Sequence, residues 1–239
     1  MLYKTKTKLG TFMKLSIVLP TLLIMSFNLY AKTITSNPTI LYIGDSHSYG
    51  KLGTVVEKNL SSISNHVIME SSCGSSASTW ISKSAYQKTV CGFWKKDGTD
   101  EVRTIEHQTP RLVDEIIKYQ PLVTIVQLGT NMAAGNNPLS TAGSIEQLMQ
   151  EIIKAESICI WIGPPDANSK IVTKEKLNVI NTLIRDLALK NNCHYVDSLE
   201  LTSFPNDSKE GIHYPPSLSA QWGEKVSRNI LTYLESIEL

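Results

Sequence analysis

Two segments far apart in the chain carry the residue types of a nucleophile and its base. Gly44-Asp45-Ser46-His47 places a serine just after an apolar run. Glu210-Gly211-Ile212-His213 places a histidine three residues after a carboxylate and shortly before two prolines. A serine hydroxyl becomes a good nucleophile when a histidine takes its proton and an acid orients the ring. Taken alone, Ser46 can instead cap a helix, and His213 can be an ordinary surface side chain.

Two further loops carry groups that can stabilise a negatively charged oxygen. In the loop Glu70-Ser71-Ser72-Cys73-Gly74, small polar residues allow backbone N–H groups to face a ligand. In Gly129-Thr130-Asn131, the asparagine amide can donate a hydrogen bond to a developing oxyanion. Each loop alone also fits an ordinary polar turn. The four segments together are more specific than any one of them.

Short, continuously apolar runs predict strands that are buried on both faces, as in a parallel sheet. The runs are 39–43, 66–69, 122–128, 158–162 and, more weakly, 193–196. Amphipathic segments between the runs predict helices. The alternation of strand and helix predicts one α/β domain with a central parallel sheet. Ligands of such sheets bind at the carboxyl ends of the strands, which is where the polar loops lie.

The sequence resembles the SGNH (GDSL-like) hydrolase family over residues 39–236. The resemblance rests on four matches, which are Gly44-Asp45-Ser46, Gly74, Gly129-Thr130-Asn131 and Gly211-Ile212-His213. It implies a three-layer α/β/α sandwich, flavodoxin-like, with a central five-stranded parallel sheet. It also implies a reaction that needs neither a cofactor nor a metal.

The same resemblance assigns roles to individual residues. It implies that Ser46 is the nucleophile and that His213 is the general base and then the general acid. It also implies an oxyanion hole, whose three donors are the backbone N–H of Ser46, the backbone N–H of Gly74 and the side chain of Asn131.

The chain departs from the family pattern beside both of its reactive residues. Family members usually carry Asp three residues before the histidine, whereas this chain has Glu210. We expect Glu210 to orient the ring of His213, and Asp207 is the alternative. A histidine also follows the serine, where many members carry an aliphatic residue. The candidate pocket residues are His47, Asp45, which also suits a supporting role, and Trp161, which also suits the core.

Residues 1–31 have the layout of a secretory signal peptide. Four lysines precede an apolar run from Leu15 to Leu29, and Ala31 stands where cleavage is expected. The run is shorter than the ~20 residues that span a bilayer. We therefore expect export to the periplasm or the medium, no membrane span after processing, and a hydrolase domain over 32–239. An uncleaved membrane anchor is the alternative.

The charge of the expected domain argues against nucleic acid as a partner. The chain has 23 basic and 22 acidic residues, and four of the basic residues are lysines in 1–31. Removing these four leaves 19 basic against 22 acidic residues, a formal net charge of −3. The basic residues are scattered among acids, so no polyanion-binding surface is predicted. The oligomeric state stays open.

The four cysteines all follow residue 31, in a chain expected to meet an oxidising compartment. We predict a disulfide between Cys73 and Cys91, because both flank glycine-bearing, loop-like sequence. Cys159 lies inside an apolar run, which predicts a buried free thiol. No two cysteines have the close spacing of a zinc site.

The segment 75–108 is longer than an ordinary connection between a strand and a helix. It is polar and carries Trp80 and Trp94. It predicts either a lid that faces the substrate or a solvated insertion.

These features together predict an exported serine esterase that works through an acyl-enzyme. The expected substrates are short-chain acyl esters, such as acetyl esters, on a polysaccharide or peptidoglycan. Transfer of the acyl group to a sugar hydroxyl, and hydrolysis of lipid esters or thioesters, are alternatives within the same chemistry. A binding protein that has lost catalysis is the alternative outside it.

Overall fold

The apolar runs lie in one sheet within the part of the chain that the computed structural model describes, residues 37–82, 86–205 and 210–239. The spatial order of its seven strands is β4-β3-β2-β1-β5-β6-β7. In chain order the strands are β1 (Thr39–Gly44), β2 (His66–Ser72), β3 (Gln87–Asp97), β4 (Asp100–His107), β5 (Val123–Gln127), β6 (Ile158–Ile162) and β7 (His194–Val196).

The five strands predicted from the apolar runs are parallel neighbours, β2-β1-β5-β6-β7. This confirms the predicted parallel sheet. The register pairs Gly44 at the end of β1 with Ser71 on β2 and Gln127 on β5. The loops that leave these three strands therefore start side by side.

Helices cover both faces of the sheet, as predicted for a three-layer sandwich. They are α1 (Ser46–Tyr49), α2 (Lys51–Leu60), α3 (Ala77–Ile81), α4 (Leu112–Tyr119), α5 (Thr130–Ala134), α6 (Ala142–Lys154), α7 (Lys174–Lys190), α8 (Ser198–Leu201) and α9 (Pro216–Ser236). Side chains of α2 and α9 pack in one core cluster, and those of α4, α6 and α7 pack in the other.

Each central strand divides its side chains between the two cores. On β1, Ile40 and Tyr42 pack with α2 and α9, whereas Leu41 and Ile43 pack with the helices of the opposite face. All four side chains are fully buried. This two-sided burial explains why the strand sequences are continuously apolar instead of alternating.

The sheet has two more strands than the five predicted. The described residues of segment 75–108 form α3 and the hairpin of β3 and β4, which pairs antiparallel with β2. The hairpin extends the sheet, and its outer strand β4 is exposed to solvent at every residue except His107. The hairpin turns at Gly98, whose φ is +60°, between Asp97 and Asp100, which pair with each other. An Asp-Gly pair is a hairpin signal, and it was the sequence signal that could have predicted this element.

The hairpin buries the tryptophans of this segment instead of presenting them to a substrate. Trp80 is fully buried and Trp94 is 1% exposed. On β3, Lys95 pairs with Glu70 of β2 and with Glu115 of α4. These ion pairs help to hold a mostly polar strand against the sheet. The sequence of β3 therefore does not show the apolar pattern of the central strands.

Two disulfides lie at opposite ends of the strands. Cys73–Cys91 joins the loop after β2 to β3, which confirms the predicted bridge. The prediction of a free thiol at Cys159 is wrong, because this residue is bonded to Cys193. The pairing of β6 with β7 sets Ile160 opposite His194, so the preceding residues of the two strands meet. The apolar run around Cys159 gave no indication of a disulfide partner on the neighbouring strand.

Two expectations concern residues that the structure does not describe. The predicted signal peptide, residues 1–31, lies outside the described residues, and so does Asp207. Among the described residues, no helix is both long and apolar enough to cross a membrane.

Candidate active site

Ser46 stands at a tight turn between β1 and α1. Asp45 is the residue before α1, and its side-chain Oδ1 accepts a hydrogen bond of 3.0 Å from the backbone N–H of His47. Gly44 is needed at this turn, since a Cβ atom there would lie 2.3 Å from Ser48 Oγ. Ser46 is half-buried between buried neighbours. The turn therefore presents one hydroxyl at the surface and holds its neighbours in the core.

A buried polar network fixes this turn from below. The Ser48 hydroxyl donates to Gln127 Oε1 at 2.6 Å, and the Tyr42 hydroxyl donates to Ser48 Oγ at 2.7 Å. From the neighbouring strand, the Ser71 hydroxyl donates to the backbone oxygen of Asp45 at 2.9 Å. Hydrogen bonds are stronger in a buried site than in water, because the local dielectric constant is low. Three strands thus hold the backbone on either side of Ser46.

Asp45 is fully buried, so the structure places it beneath the turn and away from the cleft. Burial raises the pKa of Asp45 to about 7, although the His47 N–H and the nearby charge of His213 act in the opposite direction. The side chain supports the turn and does not line a pocket.

His213 lies against Ser46 across 167 positions of sequence. Ser46 Oγ is 2.8 Å from His213 Nε2, and His213 Nδ1 contacts Glu210 Oε1. A carboxylate at Nδ1 places the ring proton there, which leaves Nε2 free to accept the proton of the Ser46 hydroxyl. The His213 side chain is 43% exposed and that of Glu210 is 54% exposed. The contact at Nδ1 means that Glu210 reaches the ring in spite of its extra methylene.

The loop that carries His213 is anchored to the loop after β6. Gly211 has φ +78°, and a Cβ atom there would lie 2.1 Å from the backbone oxygen of Asn168. The Asn168 N–H donates to the Gly211 oxygen at 2.8 Å, and the Tyr214 hydroxyl donates to the Asp166 oxygen at 2.8 Å. Glycine is required here both for its positive φ and for this close approach.

Ser75 ties together the segments that carry the predicted oxyanion donors, which are the loop at Gly74 and the first turn of α5 at Asn131. The Asn131 amide donates to the Ser75 backbone oxygen at 2.9 Å, and the Ser75 hydroxyl donates to the Gly44 oxygen at 3.3 Å. An amide nitrogen carries two protons, so this bond orients Asn131 and leaves it one more to donate. Gly74 has φ +77° and is exposed, with open space where a Cβ atom would stand.

His47 packs behind the reactive histidine. Its ring centroid is 5.1 Å from that of His213 and 5.4 Å from that of Trp222. His47 is only 5% exposed, and burial lowers its pKa to about 3, with a smaller contribution from His213. The side chain stays neutral near pH 7. It therefore adds no positive charge that would oppose protonation of His213.

A cleft of about 240 Å³ opens beside Ser46 and His213. Trp161 takes no part in it, because its side chain is fully buried in the core and its indole N–H donates to the Leu128 oxygen at 3.1 Å. The cleft is lined by Ser46, His47, Gly50, Lys51, His213, Tyr214, Pro216 and Ser219. Of these, sequence reasoning missed Gly50, Lys51, Tyr214, Pro216 and Ser219. Their only signal was closeness in sequence to the two reactive residues.

The chain offers no metal centre within its described residues. No group of three or more His, Cys, Asp or Glu side chains there is arranged to hold an ion.

Solved structures with the same architecture include several esterases. The native aryl esterase of M. smegmatis is 18% identical with a TM-score of 0.59, and the match covers 82% of this chain and 99% of that one. A carbohydrate acetylesterase from Sinorhizobium meliloti is 15% identical with a TM-score of 0.60, covering 82% and 100%. A lipase/acylhydrolase from Enterococcus faecalis is 17% identical with a TM-score of 0.54, covering 80% and 95%.

No protein-family model matches the chain, and no curated protein matches it in sequence. The likeness to the solved structures therefore rests on the path of the backbone over nearly their whole length. At this level of identity the likeness establishes a shared fold, which is the SGNH hydrolase fold that the sequence motifs predicted.

Proposed function

We propose that this protein is a serine esterase whose nucleophile is Ser46. The observation that carries the proposal is the contact of 2.8 Å between Ser46 Oγ and His213 Nε2, with Glu210 on the other ring nitrogen. A serine, a histidine and an acid in this order form a nucleophile with its base and an orienting group. The departure from the usual Asp is accommodated, since Glu210 makes the same contact.

The geometry supports a two-step reaction. Ser46 Oγ attacks the ester carbonyl carbon while its proton passes to His213 Nε2. The carbonyl oxygen becomes an oxyanion, for which the N–H groups of Ser46 and Gly74 and the amide of Asn131 are the proposed donors. The intermediate then collapses, and the leaving oxygen takes the proton from Nε2 and departs as an alcohol. Water then attacks the carbonyl carbon of the acyl-serine while its proton passes to His213 Nε2. The second intermediate collapses, the Ser46 oxygen takes back the proton, and the acid is released.

The proposed substrates are short-chain acyl esters, such as acetyl esters, on a carbohydrate or a cell-wall polymer. Two supporting observations are the shared fold and the description of one solved protein with that fold as a carbohydrate acetylesterase. Water is the proposed acceptor, because the His213 side chain is 43% exposed and the site is open to solvent. Transfer to a sugar hydroxyl would instead need a pocket that excludes water.

Export is a separate part of the proposal. We propose that residues 1–31 are removed and that the enzyme works in the periplasm or the medium. Two disulfides within the described residues are in keeping with an oxidising compartment. Intact-mass measurement of the protein recovered outside the cytoplasm tests this. A mature chain that begins at Lys32 is the expected result, and a chain that keeps residues 1–31 contradicts it.

The enzyme activity is tested with p-nitrophenyl acetate and the variant Ser46→Ala. We expect wild-type turnover and a loss of ~1,000-fold or more in the variant, because no other group supplies the attacking oxygen. Ser62→Ala, which removes an exposed hydroxyl on the loop after α2, is the matched control and should keep full activity. Equal turnover in wild type and Ser46→Ala would contradict the proposal.

The two disulfides should differ in their effect on catalysis. Cys73 directly precedes Gly74, and its N–H also bonds to the Gly92 oxygen at 2.9 Å. Replacing Cys73 and Cys91 with serine should lower kcat by about 10-fold to 100-fold, since a small displacement of an oxyanion donor weakens its hydrogen bond in the transition state.

The matched control replaces Cys159 and Cys193, which join β6 and β7 at the opposite ends of the strands. Each double variant should lose ~3 kcal/mol of stability, so kcat is compared well below both unfolding midpoints. Equal kcat values for the two variants would show that the Cys73–Cys91 bridge does not position the site.

A further inference from the structure

The cleft beside Ser46 lies on the side of the proposed site where the alcohol leaves. It is lined by Ser46, His213, Tyr214 and Pro216 from the reactive end, and the oxyanion donors Gly74 and Asn131 are not among its lining residues. In the proposed mechanism, His213 Nε2 must hand its proton to the leaving oxygen. The alcohol part of the ester therefore lies beside His213, in this cleft, and the acyl part lies elsewhere.

The outer wall of the cleft is positively charged. Lys51 lines it and is exposed, and the described residues place no acid within ion-pair distance of its ammonium group. No acidic side chain is among the described residues that line the cleft. Of the acids that flank the reactive segments, Glu210 contacts His213 and Asp45 is buried beneath the turn.

The backbone of α2 adds to the positive electrostatic potential of the cleft. Lys51 begins the ten-residue helix α2, which has no acidic residue in its first turn. Of its N-terminal N–H groups, that of Leu52 donates to Ser219 Oγ at 3.0 Å, an uncharged partner that leaves the positive end of the helix without a counter-charge. Both Gly50 and Lys51 line the cleft, so the helix N-terminus, with its partial positive charge, faces it. The inner wall holds His47, a polar side chain that is 5% exposed and whose Nε2 has no hydrogen-bond partner in the structure.

From this arrangement we infer that the cleft binds an anionic alcohol group, so that the preferred substrates are acyl esters of alcohols that carry a carboxylate, as an acylated acidic sugar does. Lys51 and the N-terminus of α2 bind the carboxylate while His213 donates a proton to the leaving ester oxygen. This inference rests on the proposed esterase function and names the kind of alcohol that the enzyme releases.

The test compares two esters that share the acetyl group and differ in the charge of the leaving phenol. These are 3-acetoxybenzoate, which is anionic, and 3-acetoxybenzamide, which is neutral. We expect the full-length enzyme to show a kcat/KM for the anion about 10-fold higher at low salt, from one ion pair and one helix terminus together. This ratio should fall as salt is added, because the cleft is open to solvent.

Lys51→Gln should lower the ratio of the two kcat/KM values to the part that the N-terminus of α2 supplies, about 3-fold or less. Lys58→Gln is the matched control, since Lys58 is an exposed lysine of the same helix that does not line the cleft. It should keep the wild-type ratio. A wild-type ratio near one, or a ratio that Lys51→Gln leaves unchanged, overturns the inference.

The same experiment separates this inference from the proposed function. Hydrolysis of both esters with no preference for the anion leaves the esterase in place and removes the anion site. Absence of hydrolysis of either ester, together with no turnover of p-nitrophenyl acetate, removes both.

Discussion

The contact between the Ser46 hydroxyl and the His213 imidazole is the constraint on which the rest of the structure depends. It joins two segments 167 positions apart and needs both side chains within 2.8 Å. Neither segment can supply this precision alone. The central strands hold the serine, and the loop before α9 brings the histidine to it, with Glu210 fixing which ring nitrogen carries the proton.

The two halves of this contact are held in different ways. Ser46 stands on a turn whose supports, Tyr42, Ser48 and Asp45, are fully buried. His213 is partly exposed, and its loop is held by backbone contacts at Gly211 and by the Tyr214 hydroxyl. For the proposed reaction, a firmly held Ser46 beside a more exposed His213 leaves room for an ester and for water. The neutral His47 behind the base fills space without competing for protons.

The parallel sheet could be predicted because local sequence determines its strands. A strand buried on both faces has to be apolar throughout, as 39–43 is, and the residues after its carboxyl end have to make the turn. The motif at Ser46 lies at such an end. The loop at His213 lies between α8 and α9 instead, and its hydrogen bond to the loop after β6 is a long-range contact that local sequence does not determine.

The features that escaped prediction depend on contacts between distant parts of the chain. The strand β3 is mostly polar. It joins the sheet by antiparallel backbone pairing with β2, and long-range ion pairs such as that of Lys95 with Glu70 help to hold it there. Cys159 finds Cys193 only through the register of β6 with β7. Lys51 follows the nucleophile by five positions, yet its place in the cleft depends on the turn at Gly50 and on the loop before α9.

The central claim, that His213 activates Ser46, is tested most directly by the rate of labelling with a fluorophosphonate, followed by peptide mapping. The reagent needs a nucleophilic serine and no knowledge of the natural substrate. We predict a single label on Ser46, a rate ~100-fold or more lower in His213→Ala, and an intermediate rate in Glu210→Gln. Labelling of a different serine, or an unchanged rate in His213→Ala, would contradict the account.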